Sequence, residues 1–253
     1  MLETEIYFDS LQITALALRC ILDIFLPFTV FFYLHKRHGG RWFPLLVGVT
    51  ATILLVVPRA LLRNLFVPSG GDFLLQFFLS ALINAICEEM ARYLAMTYAM
   101  QQHTGLMDGI CYGLGHGGME SLVLAQYPLD YLWMQIRHRQ YGTEYFTAGR
   151  TDEQLAAVME KLQICDSLDV FSSFETSIGT ICSIANHVAW SVLVLTAVRF
   201  AGCRKFLFLA IGLHVLSHFG TIFFDVPGTL ITTFAICWMT YRWVKPYWAA
   251  EYA

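Results

Sequence analysis

The sequence predicts an all-α polytopic membrane protein with about seven transmembrane helices around a buried polar, metal-binding centre. Three observations predict it. Of 253 residues, 57% are hydrophobic and 14% charged, whereas soluble domains carry about 45–50% apolar and about 25% charged residues. The apolar residues gather in runs close to the roughly 20 residues that cross a bilayer core. Within those runs stand Glu88, Glu89 and Arg92, then His116 and Glu120, then His187, then His214 and His218. Ionisable groups cost several kcal/mol in hydrocarbon, so they mark buried sites.

The first span, 11–34, follows MLETEIYFDS, whose acids stand where a secretory leader needs basic residues, and no small-residue cleavage site ends a short apolar segment. This span is expected to stay in the mature chain. The others are expected at 42–63, 73–101, 105–126, 170–198, 205–223 and 228–244. HKRHGGR at 35–41, VPSGGD at 67–72, QQHTG at 101–105, AGCRK at 201–205 and DVPG at 225–228 interrupt them with glycine, proline or exposed polar groups. Residues 127–169 are polar and aromatic, with no run long enough to span. Within them, Thr151 to Leu168 predicts an amphipathic helix with Thr151 as N-cap, Asp152 and Glu153 in the first turn, and Leu155, Val158, Met159 and Leu162 on one side. Residues 1–253 are taken as a single integral membrane domain, with 127–169 as an outward-facing connector.

Lys36, Arg37 and Arg41, then Arg199, Arg204 and Lys205, then Arg242 and Lys245 fall on one side of a seven-span arrangement. The positive-inside rule makes that side cytoplasmic, with the N-terminus outside, in the plasma membrane. Arg59 and Arg63 lie near an outward end and are expected to snorkel to the interface. A net charge of −3 offers no basic footprint, so nucleic acid is not an expected partner. The seven cysteines form no CxxC pair and read as small packing residues rather than a disulfide framework. Arg19 and Asp23, four residues apart, can neutralise one another in the first span, and Asp108 reads as an electrostatic feature of a helix start.

Helical rise then places the other ionisable groups. Measured from the inner ends of their spans, Glu88 lies at roughly 18 Å, His116 at about 17 Å, His187 at about 17 Å and His214 at about 14 Å. All four stand near the middle of a core roughly 30 Å thick. Imidazoles from three helices can bind Zn²⁺ and leave a position for water, the arrangement of catalytic zinc sites. The metal acidifies the water and polarises a carbonyl, while a carboxylate relays the proton to the leaving amine. Glu88 and Glu89 point about 100° apart, so one faces such a water and the other serves as a second ligand, an orienter or an arginine partner. Arg92 reaches either of them along the helix.

Glu120, at i+4 from His116, can co-ligate or hold the second ring nitrogen of a liganding histidine. Gly113, Gly115, Gly117 and Gly118 let a helix or substrate backbone approach closely. Asn186 and Ser191 are placed to support His187, His218 to complete the ligand set or meet a substrate carbonyl, and Glu175 to gate the site or support it from the outer end.

In NAICEEMARYLAM at 84–96, GICYGLGHGGMESLVL at 109–124, NHVAWSVLVL at 186–195 and AIGLHVLSHFG at 210–220, the chain resembles the YhfC family of intramembrane metalloproteases. More distantly it is similar to the CAAX-prenyl-protease and bacteriocin-processing superfamily and to the PrsW proteases. The resemblance implies an all-helical polytopic fold, a paired-glutamate helix and histidines from later helices. It assigns water activation to Glu88, with Glu89 and Arg92 beside it. His218 stands where the superfamily often has Asn or Asp, and Thr176 follows Glu175 where the family has arginine.

The expected function is therefore a zinc-dependent endopeptidase that hydrolyses a bond of a membrane protein or peptide in or near the bilayer. Two other classes fit the same cluster: a transporter or sensor using it for a metal ion or proton, and an accessory protein that binds a peptide without cutting it.

Overall fold

The computed structural model describes residues 8–249, which are helical with no strand among them. MLETEIY, on which the leader expectation rests, lies outside the described residues. The chain forms two compact units, one from the described residues up to Leu26 with Leu122–Ile178, the other from Pro27–Ser121 with the described residues from Gly179 onward.

The first unit contains the start of α1 (Ser10–His38), then α5 (Gln126–Tyr141), α6 (Glu144–Thr147), α7 (Asp152–Ser167) and the start of α8 (Val170–Arg199). Thr151 caps α7 as its sequence predicts: its hydroxyl accepts from Gln154 N, and the Gln154 side chain accepts from Thr151 N. The apolar side of α7 is covered, with Leu162 and Cys165 fully buried and Val158 and Met159 packed beside Phe8, Met134 and Phe146. Gln135 ties α5 to α7 by donating to the Cys165 carbonyl at 3.1 Å. Arg19 and Asp23 pair at 3.5 Å, as their spacing predicts.

The second unit contains the rest of α1 and α8 together with α2 (Trp42–Phe66), α3 (Phe73–Leu94), α4 (Leu106–Leu124) up to Ser121 and α9 (Lys205–Trp248). Gly39 ends α1 with a φ of 71°, a left-handed conformation that suits glycine. Asp72 starts α3 by accepting from Leu74 N at 2.9 Å. After Leu94, α3 continues into a wider π turn, Ala95–Ala99.

Among the described residues, five helices are long and apolar enough to cross a membrane: α1, α2, α3 with its π turn, α8 and α9. They make the chain an integral membrane protein. About seven are expected, and the difference falls at two places. The fourth expected span, α4, is 19 residues long and gives up apolarity to its glycines, Asp108, His116 and Glu120. The last two expected spans are the two arms of α9, which count as a single candidate span although the helix breaks between them at Asp225, where φ is 48° and ψ −140°. This bend turns α9 back on itself. The Phe206 and Tyr247 rings are 5.6 Å apart, where a straight helix would separate them by about 60 Å.

Glycine on α4 sets the packing of this unit. A Cβ on Gly115 would stand 2.0 Å from the Leu45 carbonyl oxygen of α2, and one on Gly113 would stand 2.5 Å from Val188 Cα of α8. Only a residue without a side chain permits these approaches. Leu193, Val194, Leu195, Ala210 and Ile236 form the adjoining core. Polar groups are matched across it: Asn186 Nδ2 donates to Thr233 Oγ1 at 3.1 Å and Trp248 Nε1 to Thr196 Oγ1 at 2.9 Å. At one end of the unit Arg41 pairs with Asp108 in the first turn of α4, Arg199 donates to the Thr104 carbonyl at 2.9 Å, and Arg199 lies 4.6 Å from the Trp248 ring.

Candidate metal centre

One turn of α3 carries Glu88, Glu89 and Arg92, all buried. The glutamates point to different neighbours because successive residues on a helix are rotated by about 100°. Arg92, three residues on, pairs with Glu89. Glu89 Oε1 also meets His214 Nδ1 of α9 at 2.9 Å. A carboxylate accepts, so His214 Nδ1 carries the proton and its Nε2 keeps a free lone pair. That Nε2 stands 4.0 Å from Glu88 Oε2.

Glu88 has the other half of the cluster. Its Oε1 accepts from Arg59 of α2 at 2.7 Å, and its Oε2 lies 3.3 Å from His116 Nε2 of α4. Glu88 Oε2 and His116 Nδ1 are buried without a hydrogen-bond partner. His187 of α8 stacks on His116 with ring centres 4.9 Å apart. Arg92 donates to His187 Nδ1 across 3.1 Å, and His187 Nε2 meets Glu120 Oε2 at 2.6 Å. Because a guanidinium can only donate, His187 Nδ1 is the acceptor of the Arg92 contact, and its Nε2 faces Glu120.

Glu88, His116, His187 and His214, expected at one depth, come together from four helices, α3, α4, α8 and α9. Glu88, His116 and His187 each offer a ligand atom within 4.8 Å of the other two, and all three are buried. The residues fit a divalent metal. The orphaned Glu88 oxygen is an electron donor without a partner, buried among histidine rings, and a cation would satisfy it.

The remaining expected residues are placed as follows. Glu120 shares a helix with His116 but contacts His187, and its side chain keeps 28% of its exposure. His218 is half-buried, stacks on His214 at 5.3 Å and leaves Nε2 without a partner. Ser191 donates to the His187 carbonyl at 2.7 Å, whereas Asn186 turns to Thr233. Glu175 is half-buried on the part of α8 that belongs to the first unit.

Two contributors are absent from the expected set. Arg59, expected to snorkel, turns inward to Glu88 because α2 packs along α3. Trp190 lies flat on His214, with ring centres 3.9 Å apart and planes 10° from parallel. Its spacing of three from His187 puts both on one face of α8, a signal legible in NHVAW.

Fold and site together define an all-α polytopic membrane protein with a buried histidine-glutamate cluster able to coordinate a metal. Residues 22–236 match the family described as YhfC intramembrane metalloprotease, and the chain belongs to that family. Among curated proteins it is similar to the "Uncharacterized membrane protein YhfC" of Bacillus subtilis (strain 168), with 31% identity over 153 residues that make up 59% of this chain and 54% of that protein. The chain therefore matches about half the length of that curated relative. No solved structure matches the chain.

Proposed function

We propose that this chain is a zinc-dependent intramembrane endopeptidase that hydrolyses a peptide bond of a membrane protein or peptide within or beside the bilayer. One observation carries the reading: Glu88 Oε2 is buried, has no hydrogen-bond partner and faces imidazole nitrogens of His116 and His214 at 3.3 Å and 4.0 Å. In this reading His116, His187 and His214 hold the metal, and His187 exchanges one of its two ring hydrogen bonds for the cation. Glu89 fixes the tautomer and orientation of His214, and Glu120 does the same for His187, as carboxylates do for liganding histidines elsewhere. Glu120 and His218 are near enough to enlarge the ligand set.

Zn²⁺ held there would supply an acidified water and a polarised scissile carbonyl. Glu88 Oε2 is placed to take a proton from an attacking water and return it to the departing amine nitrogen, so that the carbonyl carbon gains an oxygen as its bond to nitrogen breaks. Arg92, paired with Glu89, keeps that carboxylate and the His214 ring it holds in place while the proton moves.

The site belongs to a membrane domain oriented with its N-terminus outside and its C-terminus in the cytoplasm, and with 127–169 as an outward connector. The gathering of Arg41, Arg199 and both ends of α9 at one end of the second unit supports this orientation under the positive-inside rule.

Purified protein is expected to hold about one zinc per chain by elemental analysis. Glu88→Gln should lower chelator-sensitive cleavage of a membrane substrate by about 10²–10⁴-fold while the chain still folds. Wild-type protein that takes up no stoichiometric zinc, or a folded Glu88→Gln variant that cleaves normally, would end this reading.

A further inference from the structure

Each of the adjacent glutamates has its own arginine, and the two arginines are held in different ways. Arg92 has no exposure, rises from the same helix as Glu89 and also reaches His187. Arg59 comes from α2, whose apolar stretch is only 17% buried, and its side chain keeps 29% of its exposure. An arginine in such a helix is expensive unless it has work to do. Its NH1 donates to Glu88 Oε1 at 2.7 Å. That bond occupies one oxygen of a carboxylate whose other oxygen faces the imidazoles unpartnered.

We infer that Arg59 is a positioning residue that pins Glu88 with Oε2 turned into the cluster and, as a competing cation on the same carboxylate, restrains the affinity of the cluster for a divalent metal. The inference rests on the metal-dependent reading above. Its physical content lies in charge. The carboxylates of Glu88, Glu89 and Glu120 are set against the guanidinium groups of Arg59 and Arg92, and removing Arg59 leaves the cluster more negative by one unit. A pillar of the structure and a competing charge then predict opposite signs: loss of a pillar loosens metal binding, whereas loss of a competitor tightens it. The attraction is strong because the pair lies in a region of low dielectric.

The two are separated by titrating the full-length chain in detergent with Co²⁺, whose visible absorption reports the coordination shell, and with Zn²⁺ in competition. Arg59→Met should bind metal about tenfold more tightly than wild type. Arg59→Lys, which keeps the charge, should stay within about threefold of wild type. The gain should vanish when Arg59→Met is combined with Glu88→Gln, because the competition runs through that carboxylate. Tighter binding in Arg59→Met also comes with a changed cobalt spectrum, since the Glu88 carboxylate is released to turn.

Unchanged or weaker binding in Arg59→Met overturns the inference, and so does a gain that survives in the Glu88→Gln background. Failure of Arg59→Met to fold overturns it too, because it would make Arg59 a pillar. Absence of metal binding by wild type and Arg59→Met alike removes the metal reading itself. Binding by wild type without the gain removes only the role of Arg59.

Discussion

α2 and α8 are both apolar enough to span a membrane, but the less hydropathic of the two is the one inside. The apolar stretch of α2 has a mean hydropathy of 2.2 and is 17% buried, whereas that of α8 has 1.7 and is 72% buried. In water the order would be reversed. Between helices in lipid there is no hydrophobic drive, because acyl chains are as apolar as leucine, and association depends on close backbone approach and on polar groups finding partners. α8 supplies both: Val188 touches the glycine face of α4, and Asn186, His187, Ser191 and Thr196 all form hydrogen bonds. α2 turns Val57, Leu61 and Leu65 outward and meets the rest of its unit through Gly48, Thr52 and Arg59.

The contact between α4 and α8 is the hardest test of that contrast. Gly113→Val would add a Cβ 2.5 Å from Val188 Cα and 2.8 Å from the His187 carbonyl oxygen, both backbone atoms that cannot step aside. The helices must separate, and His116 and His187 separate with them. A loss above about 4 kcal/mol is expected, read as failure to recover folded protein or as a large drop in unfolding temperature in detergent. Gly212→Ala is the control, since nothing lies within 4 Å of its new Cβ. If Gly113→Val unfolds like wild type, glycine is not what brings α8 to the centre.

Next in size is the apolar side of α8. Leu193 has no exposure, and Leu193→Ala should cost about 2–5 kcal/mol by removing packed atoms and leaving a cavity. Reversible unfolding in mixed micelles measures it. A cost below about 1 kcal/mol would mean that polar matching, not packing, holds this helix.

The same contrast explains what the sequence can and cannot tell about the site. Depth is legible because rise per residue is fixed, so Glu88, His116, His187 and His214 can be placed at one level before any fold is known. Rotation and neighbourhood are not legible in the same way. His116 and Glu120 share a helix face, yet Glu120 answers His187 from another helix. Arg59 reads as a snorkelling residue by position alone, and only the packing of α2 along α3 turns it toward Glu88. DVPG marks the break in α9, but not that the two arms lie against each other. The count of spans fails where function dilutes apolarity, in the glycine, histidine and acid of α4.

The smallest effect belongs to the outer helix and is the sharpest check on the comparison. Leu54 of α2 retains 69% of its exposure. In a bilayer its side chain trades contacts with protein for contacts with acyl chains of equal polarity, so Leu54→Ala opens no cavity and forfeits no transfer energy between helices. It should change stability by less than about 0.5 kcal/mol, several-fold below Leu193→Ala although the chemical deletion is identical. Measured in the same micelles, the pair isolates burial from residue type. A Leu54→Ala cost approaching that of Leu193→Ala would require something to cover α2, and the low burial of this helix would then describe a surface that another helix or protein occupies in the membrane.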